Sequence, residues 1–187
     1  MKLKFNIVKD SSKSLRERCK EVPEPISEEY IQLVNDMTEY LKMSQDEEIS
    51  KKCHIREGVG LAAPQIGKNI RALVVYYPYV DEDGNEQYID HRLINPKVLV
   101  ESVKMAYLEG GEGCLSVDNP HEGYVYRHFK IVVEAFDAKQ LKKTTITARG
   151  YEAIVLQHEL DHLNGVLFYD HIDKKDPFKE IPGSVRF

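Results

Sequence analysis

Apolar residues change their spacing twice along this chain, and the changes divide it into a helix, a run of strands and a second helix. Ile31, Val34, Met37 and Leu41 recur at intervals of three and four, which predicts a helix with one face turned to a core. Ser27 stands at its N-cap, Glu28 and Glu29 suit the positive end of its dipole, and Ile26 and Ile31 are placed for a hydrophobic staple. The helix is expected to end in the polar stretch from Gln45 to Lys52. Before it, the chain reads as extended and polar through Lys20 and turns at Val22-Pro23-Glu24-Pro25.

From Ile70 the pattern becomes that of strands: Arg71 to Tyr77, Tyr88 to Val100 with an interruption at Asn95-Pro96, Ile131 to Phe136, and Thr144 to Ala148. Asp83-Gly84-Asn85 and Asp137 to Gln140 are the turn signals between them. A second helix is expected from Arg149 or Gly150 through His162, stopped by Asn164-Gly165. No repeat, low-complexity tract or linker intervenes, so residues 1–187 are expected to form a single α+β domain.

Composition narrows the function. With 187 residues, 42% hydrophobic and 30% charged, the chain can bury a core. A net charge of −5 argues against a nucleic-acid binder, and no nucleic-acid motif stands out. No apolar run has the length of a membrane span. The three cysteines, Cys19, Cys53 and Cys114, are widely spaced, and Met1 to Val8 is too short and too polar for a signal core. A cytoplasmic monomer is the expectation.

The chemistry begins in the second helix. Gln157-His158-Glu159-Leu160-Asp161-His162 contains H-E-x-x-H, which puts His158 and His162 on one face where both can reach a single divalent ion. Glu159 lies about 100° round the helix, beside the position of a reacting water. The third ligand decides between readings. Extended zinc peptidases place a third His where this chain has Phe168, and Glu180, the one later Glu, sits in a tail flanked by Pro177 and Pro182. Upstream, Glu112-Gly113-Cys114-Leu115-Ser116 offers a thiolate, which with two imidazoles would leave one position open on a tetrahedral metal. A second segment, Gly58 to Gly67, is small and apolar with one amide, Gln65; it reads either as a loop whose backbone approaches a ligand or as a turn packed under the first helix. Cys53-His54, His91, His121, His128 and His171 have no ligand-spaced partner.

Three blocks in this order, GVGLAAPQIG at 58–67, EGCLSV at 112–117 and QHELDHLNGVLF at 157–168, closely resemble the peptide deformylases. Asp10 to Arg16, Leu93 to Pro96 and Asp170 also fit. The added residues around Tyr77 to Asp90 and the Val-Asp after Ser116 resemble the longer subtype frequent in Gram-positive bacteria and mycoplasmas.

The resemblance implies antiparallel and mixed sheets packed around a central helix carrying H-E-x-x-H, with the N-terminal helix beside them. It implies one divalent metal on Cys114, His158 and His162, with Fe²⁺ expected and Zn²⁺, Ni²⁺ or Co²⁺ able to occupy the site. Glu159 would move the proton, while the Gln65 amide and the Leu115 backbone N–H would stabilise the oxyanion. The substrate would be a nascent peptide beginning with N-formylmethionine, met near the ribosomal exit tunnel and cleaved to release formate. Val59 and Gly60 would pair with its backbone; Gly58, Val59, Tyr151, Ile154 and Val155 would line the methionine pocket; Glu112 would be held by Arg127. Two rivals remain from the residues alone. One is an H-E-x-x-H zinc endopeptidase, and the other is a metal-stabilised or metal-sensing protein without catalysis.

Overall fold

The computed structural model describes residues 3–187, so Met1 and Lys2 of the segment read against a signal core lie outside the described residues. The strands are β1 (Gly60–Ala62), β2 (Ala72–Val80), β3 (Glu86–Glu101), β4 (Met105–Tyr107), β5 (Arg127–His128), β6 (Lys130–Asp137), β7 (Lys142–Arg149) and β8 (Val185–Arg186). The helices are α1 (Glu28–Gln45), α2 (Glu47–Cys53) and α3 (Tyr151–Leu163). Five strands form an antiparallel sheet in the order β1-β2-β3-β6-β7. A smaller sheet, β5-β4-β8, is mixed, since β8 runs parallel to β4. Among the described residues no helix is long and apolar enough to cross a membrane.

Strand β2 shows how the sheet is covered. Its buried run Ala72-Leu73-Val74-Val75 alternates faces: Ala72 and Val74 join Val34, Met37 and Leu41 of α1, while Leu73 and Val75 join Ala153, Leu156, Leu160 and Leu163 of α3. A strand covered on both faces can be apolar at every position, which is why this run is continuous. Strand β6 buries every second residue, Ile131, Val133 and Ala135, on the α3 side.

Several local expectations are corrected. Ser27 precedes α1 but its side chain makes no cap bond; its carbonyl accepts from Tyr30 and Ile31 instead. Helix α1 does end at Gln45, as expected, but the polar stretch after it is itself helical, because the Asp46 carboxylate accepts from Ile49 N–H and starts α2. Asn95-Pro96 does not divide β3: Asn95 takes a φ of 54°, the register shifts between Ile94 and Lys97, and the strand continues past a bulge. Asn95 is fixed there by a reciprocal pair with the Val22 backbone, 2.7 and 2.8 Å. The segment from Gly58 is neither a simple turn nor a free loop. It supplies the edge strand β1, followed by a turn at Ala63–Ile66.

The end of α3 follows the expected signal. Val166 N–H donates to Asp161 O at 3.0 Å and Gly165 N–H to His162 O at 3.3 Å, the paired bonds of a Schellman cap. Gly165 has a φ of 75°, and a Cβ there would come within 2.7 Å of Arg16 O, a backbone atom that cannot swing aside. Gly165→Ala is therefore expected to destabilise the metal-saturated protein by about 1–3 kcal/mol; denaturant melts with an unchanged midpoint would show that the cap yields without cost.

Candidate metal centre and cleft

Helix α3 is apolar enough to be buried on nearly all sides, and it carries polar side chains inward. Gln157 joins it to β5: its Oε1 accepts from His128 N–H at 2.9 Å and its Nε2 donates to His128 O at 2.8 Å. One turn of the helix brings His158 and His162 together, with ring centroids 5.0 Å apart. Cys114 reaches the same place from the β4–β5 connection, and one ligand atom from each of Cys114, His158 and His162 lies within 4.8 Å of the others. Cys114 Sγ is 3.3 Å from His162 Nε2. Bonds of about 2.0–2.3 Å to a tetrahedral metal place neighbouring ligand atoms about 3.5 Å apart, so a thiolate and two imidazoles at this spacing suit a divalent ion of the iron or zinc kind.

His158 is oriented from behind. Its Nδ1–H donates to Glu112 Oε2 at 2.7 Å, which directs Nε2 the other way. Glu112 in turn accepts from Arg127 Nε and Nη2 at 2.8 and 2.9 Å, and both side chains are under 5% exposed. Burial alone would raise the Glu112 carboxyl, but the bonds from Arg127 and His158 outweigh it and hold it at about 2. Arg127 Nη1 also donates to Asp161 Oδ2 at 2.5 Å, and His171 Nε2 shares that oxygen at 2.7 Å.

Glu159 has the opposite surroundings. It is buried, its Oε2 has no hydrogen-bond partner among the described residues, and burial pushes its carboxyl up to about 7. A cation in the Cys-His-His cluster would draw that value down. Gly60 makes room for it, since a Cβ on Gly60 would come 2.8 Å from Glu159 Cδ. Gln65 is likewise buried, and its direction is set: Oε1 accepts from Ala62 N–H at 2.8 Å, so Nε2 faces Ser116 Oγ at 3.2 Å and Cys114 Sγ at 3.5 Å.

These groups line a cleft of about 400 Å³ with Gly58, Val59, Gly60, Glu112, Leu115, Tyr151, Ile154 and Val155. Every residue expected at the site is thus gathered there, with His162 in the cluster and Arg127 behind Glu112. Ile154 and Val155 serve cleft and core at once, each under 10% exposed. Tyr151 stands edge-on to Tyr77. The position of a third peptidase histidine, Phe168, holds a ring stacked near His158, and Glu180 is exposed outside the cluster. Of the other histidines, His91 pairs with Glu152 at 2.7 Å, His128 Nδ1 with Ser102 O at 2.6 Å and His171 with Asp161 at 2.7 Å, while His121 stacks on Tyr169.

Sequence reasoning missed Arg56, Leu108 and Gly113 in the cleft wall, Ser116 beneath Gln65, and the Asp161–His171 pair. Asp161 carried a signal, being a carboxylate inside the metal motif; Arg56 carried none, because its partners are backbone carbonyls.

Residues 4–178 match the family model for polypeptide deformylase. A peptide deformylase of Macrococcus caseolyticus is 49% identical over 176 residues, covering 93% of this chain and 92% of its own. Among solved structures, peptide deformylase from Ehrlichia chaffeensis is similar with a TM-score of 0.71 at 34% identity, over 92% of this chain and 90% of its own. A class I type b peptide deformylase from Acinetobacter baumannii, solved with Met-Ala-Ser bound, gives a TM-score of 0.70 at 25% identity over 92% of this chain and 100% of its own.

Removing Arg127 would leave Glu112 and Asp161 facing each other without their shared cation. Arg127→Met is expected to cost about 3–5 kcal/mol of stability at saturating metal. A loss under about 1 kcal/mol in urea titration would mean that Glu112 finds other partners or takes up a proton cheaply.

Proposed function

The chain belongs to the polypeptide deformylase family and is a metal-dependent hydrolase that removes the N-formyl group from newly made peptides; we propose that Cys114, His158 and His162 hold its metal and that Glu159 is its acid–base. The observation that carries this assignment is the meeting of one thiol and two imidazoles beside a buried, unpartnered carboxylate. We further propose iron(II) as the working metal, with Zn²⁺, Ni²⁺ or Co²⁺ accommodated by the same soft and borderline donors. Residues 1–187 would act as one catalytic domain with α3 as its central helix, working in the cytoplasm as a monomer on chains leaving the ribosome.

When bound, the ion supplies Lewis acidity, which polarises the formyl carbonyl and makes water a competent nucleophile near neutral pH. Glu159 takes a proton from the attacking water and delivers it to the amine nitrogen as the C–N bond breaks, leaving formate and a free N-terminus. Charge develops meanwhile on the formyl oxygen. The Gln65 Nε2–H and the Leu115 N–H are proposed to donate to it, an assignment supported by the fixed orientation of the Gln65 amide. The backbone of Val59 and Gly60, where β1 begins, would pair with an extended peptide, and Gly58, Val59, Tyr151, Ile154 and Val155 would surround the methionine side chain, supported by their place in the cleft wall. Glu112 and Arg127 would hold His158 in register.

Two variants separate ligand from base. Cys114→Ser is expected to lose metal, because a neutral hydroxyl replaces a soft thiolate, whereas Glu159→Ala keeps stoichiometric metal and loses turnover of formyl-Met-Ala-Ser. Full activity in metal-loaded Glu159→Ala would remove Glu159 from the mechanism. Made without oxygen, the protein is expected to carry iron and to lose activity in air, while the Ni²⁺ form keeps it; equal lifetimes would count against iron.

Gln65→Leu keeps the side chain's size and removes its donor. It is expected to lower kcat by about 10²–10³ with little change in KM or metal content. A rise in KM alone would make Gln65 a contact to the ground state, and a change in melting temperature alone would make it part of a packed turn.

A further inference from the structure

The loop that carries Cys114 and Leu115 is held from outside by a side chain with no part in the assignments above. Arg56, between α2 and β1, donates from Nη2 to Cys114 O at 2.8 Å and Leu115 O at 2.6 Å, and both Nη1 and Nη2 lie 3.1 Å from Val117 O. Its charge is balanced by Asp118, 3.6 Å away, which Lys9 also pairs at 2.7 Å. The guanidinium is half-exposed, and an arginine in that setting often does no more than satisfy loop carbonyls.

The peptide plane makes more of it. The C=O of Cys114 and the N–H of Leu115 belong to one rigid unit and point in opposite directions, so a donor that fixes the first also aims the second. Val117 N–H donates to the same Cys114 oxygen at 3.1 Å, which holds that oxygen from two sides. Among the described residues the bonds of this loop run through its carbonyls, and the Leu115 N–H donates to none of them. On its N-terminal side the loop is anchored through the Glu112 side chain, bonded to Arg127 and His158, and Gly113 separates that anchor from Cys114 with open space around it, a Cβ there meeting no atom within 4 Å. The Leu115 side chain is seated separately, against Gly58, where a Cβ would lie 2.8 Å from Leu115 Cδ1.

We propose that Arg56 is a positioning residue for deformylation: by holding the Cys114 and Leu115 carbonyls it aims the Leu115 N–H at the formyl oxygen. This rests on the reading of Leu115 as an oxyanion donor. Arg56 also borders the cleft, so a direct contact to the peptide is the competing role, and the two differ in which kinetic constant they move.

The test compares Arg56→Met and Arg56→Lys, metal-saturated, on formyl-Met-Ala-Ser, in the ordinary protein and in one whose Leu115 amide is replaced by an ester. The ester removes only the N–H and is expected to lower kcat by about 10²–10³. Arg56→Met is expected to lower kcat about tenfold in the amide protein, since a misaimed donor loses part of that effect, with KM and metal content unchanged. Arg56→Lys, able to reach one carbonyl, should fall between; it carries the same comparison if Arg56→Met does not fold. In the ester protein neither variant should lower kcat further.

A rise in KM with kcat unchanged, or a loss of metal or thermal stability alone, overturns the proposal. So does an equal fall of kcat in the amide and ester proteins. An ester protein with full kcat removes the Leu115 reading itself, an outcome distinct from a normal ester effect with inert Arg56 variants.

Discussion

A helix buried on nearly every face has to satisfy each polar group it carries, and in α3 that requirement arranges the rest of the molecule. Gln157 is answered by the backbone of β5, His158 by Glu112 and through it by Arg127 of β5, and Asp161 by Arg127 and by His171 of the turn after Leu167. The small sheet, the loop before Cys114 and the C-terminal turn are thus placed by partners that α3 needs. Two of its atoms are left over. Glu159 Oε2 and His162 Nδ1 are buried without partners among the described residues, and apart from Ser184 Oγ they are the side-chain atoms in that condition. Glu159 borders the cleft, while His162 meets Cys114 Sγ through its other nitrogen, Nε2.

The same accounting separates two neighbouring carboxylates. Glu112 is desolvated but faces Arg127 and His158, and it is held at about 2; Glu159 is desolvated with too little positive charge near it and rises to about 7. Environment, and not residue type, makes one a fixed anion that orients an imidazole and leaves the other raised, to be drawn down by a cation in the Cys-His-His cluster. The Arg127–Glu112 pair is a poor way to gain stability, since two charges must leave water. Its value lies in geometry: it fixes which nitrogen of His158 carries the proton.

What could be read from the chain follows the range of the interactions. Helices α1 and α3 and strands β2, β6 and β7 were legible because period and burial are local matters. Strand β1 was not, being three residues long and strand-like only through Leu73 to Val75. Nor was β8, two residues long, which pairs with β4 far back along the chain. The proposed metal ligands on α3 announced themselves by spacing; Cys114 offered itself only as an available thiolate and Gln65 took its role from resemblance, since both come from segments that only the fold brings together. Arg56 lay beyond either route, since a backbone carbonyl leaves no mark in the residue that bears it.

The edge strand shows why binding and chemistry share one wall on the proposed reading. An extended peptide can add to the main sheet beside β1 because the strand ends the sheet there. That strand must also pass close over α3, and Gly60 allows it to do so by leaving the Glu159 carboxylate the volume of a missing Cβ. Any side chain at Gly60 would push apart the surface that aligns the peptide and the acid that acts on it. The glycine therefore serves the contact between strand and helix as much as the backbone of the strand itself, and the distance from the paired peptide to the proton donor is set by how closely the β1 main chain can approach the Glu159 side chain.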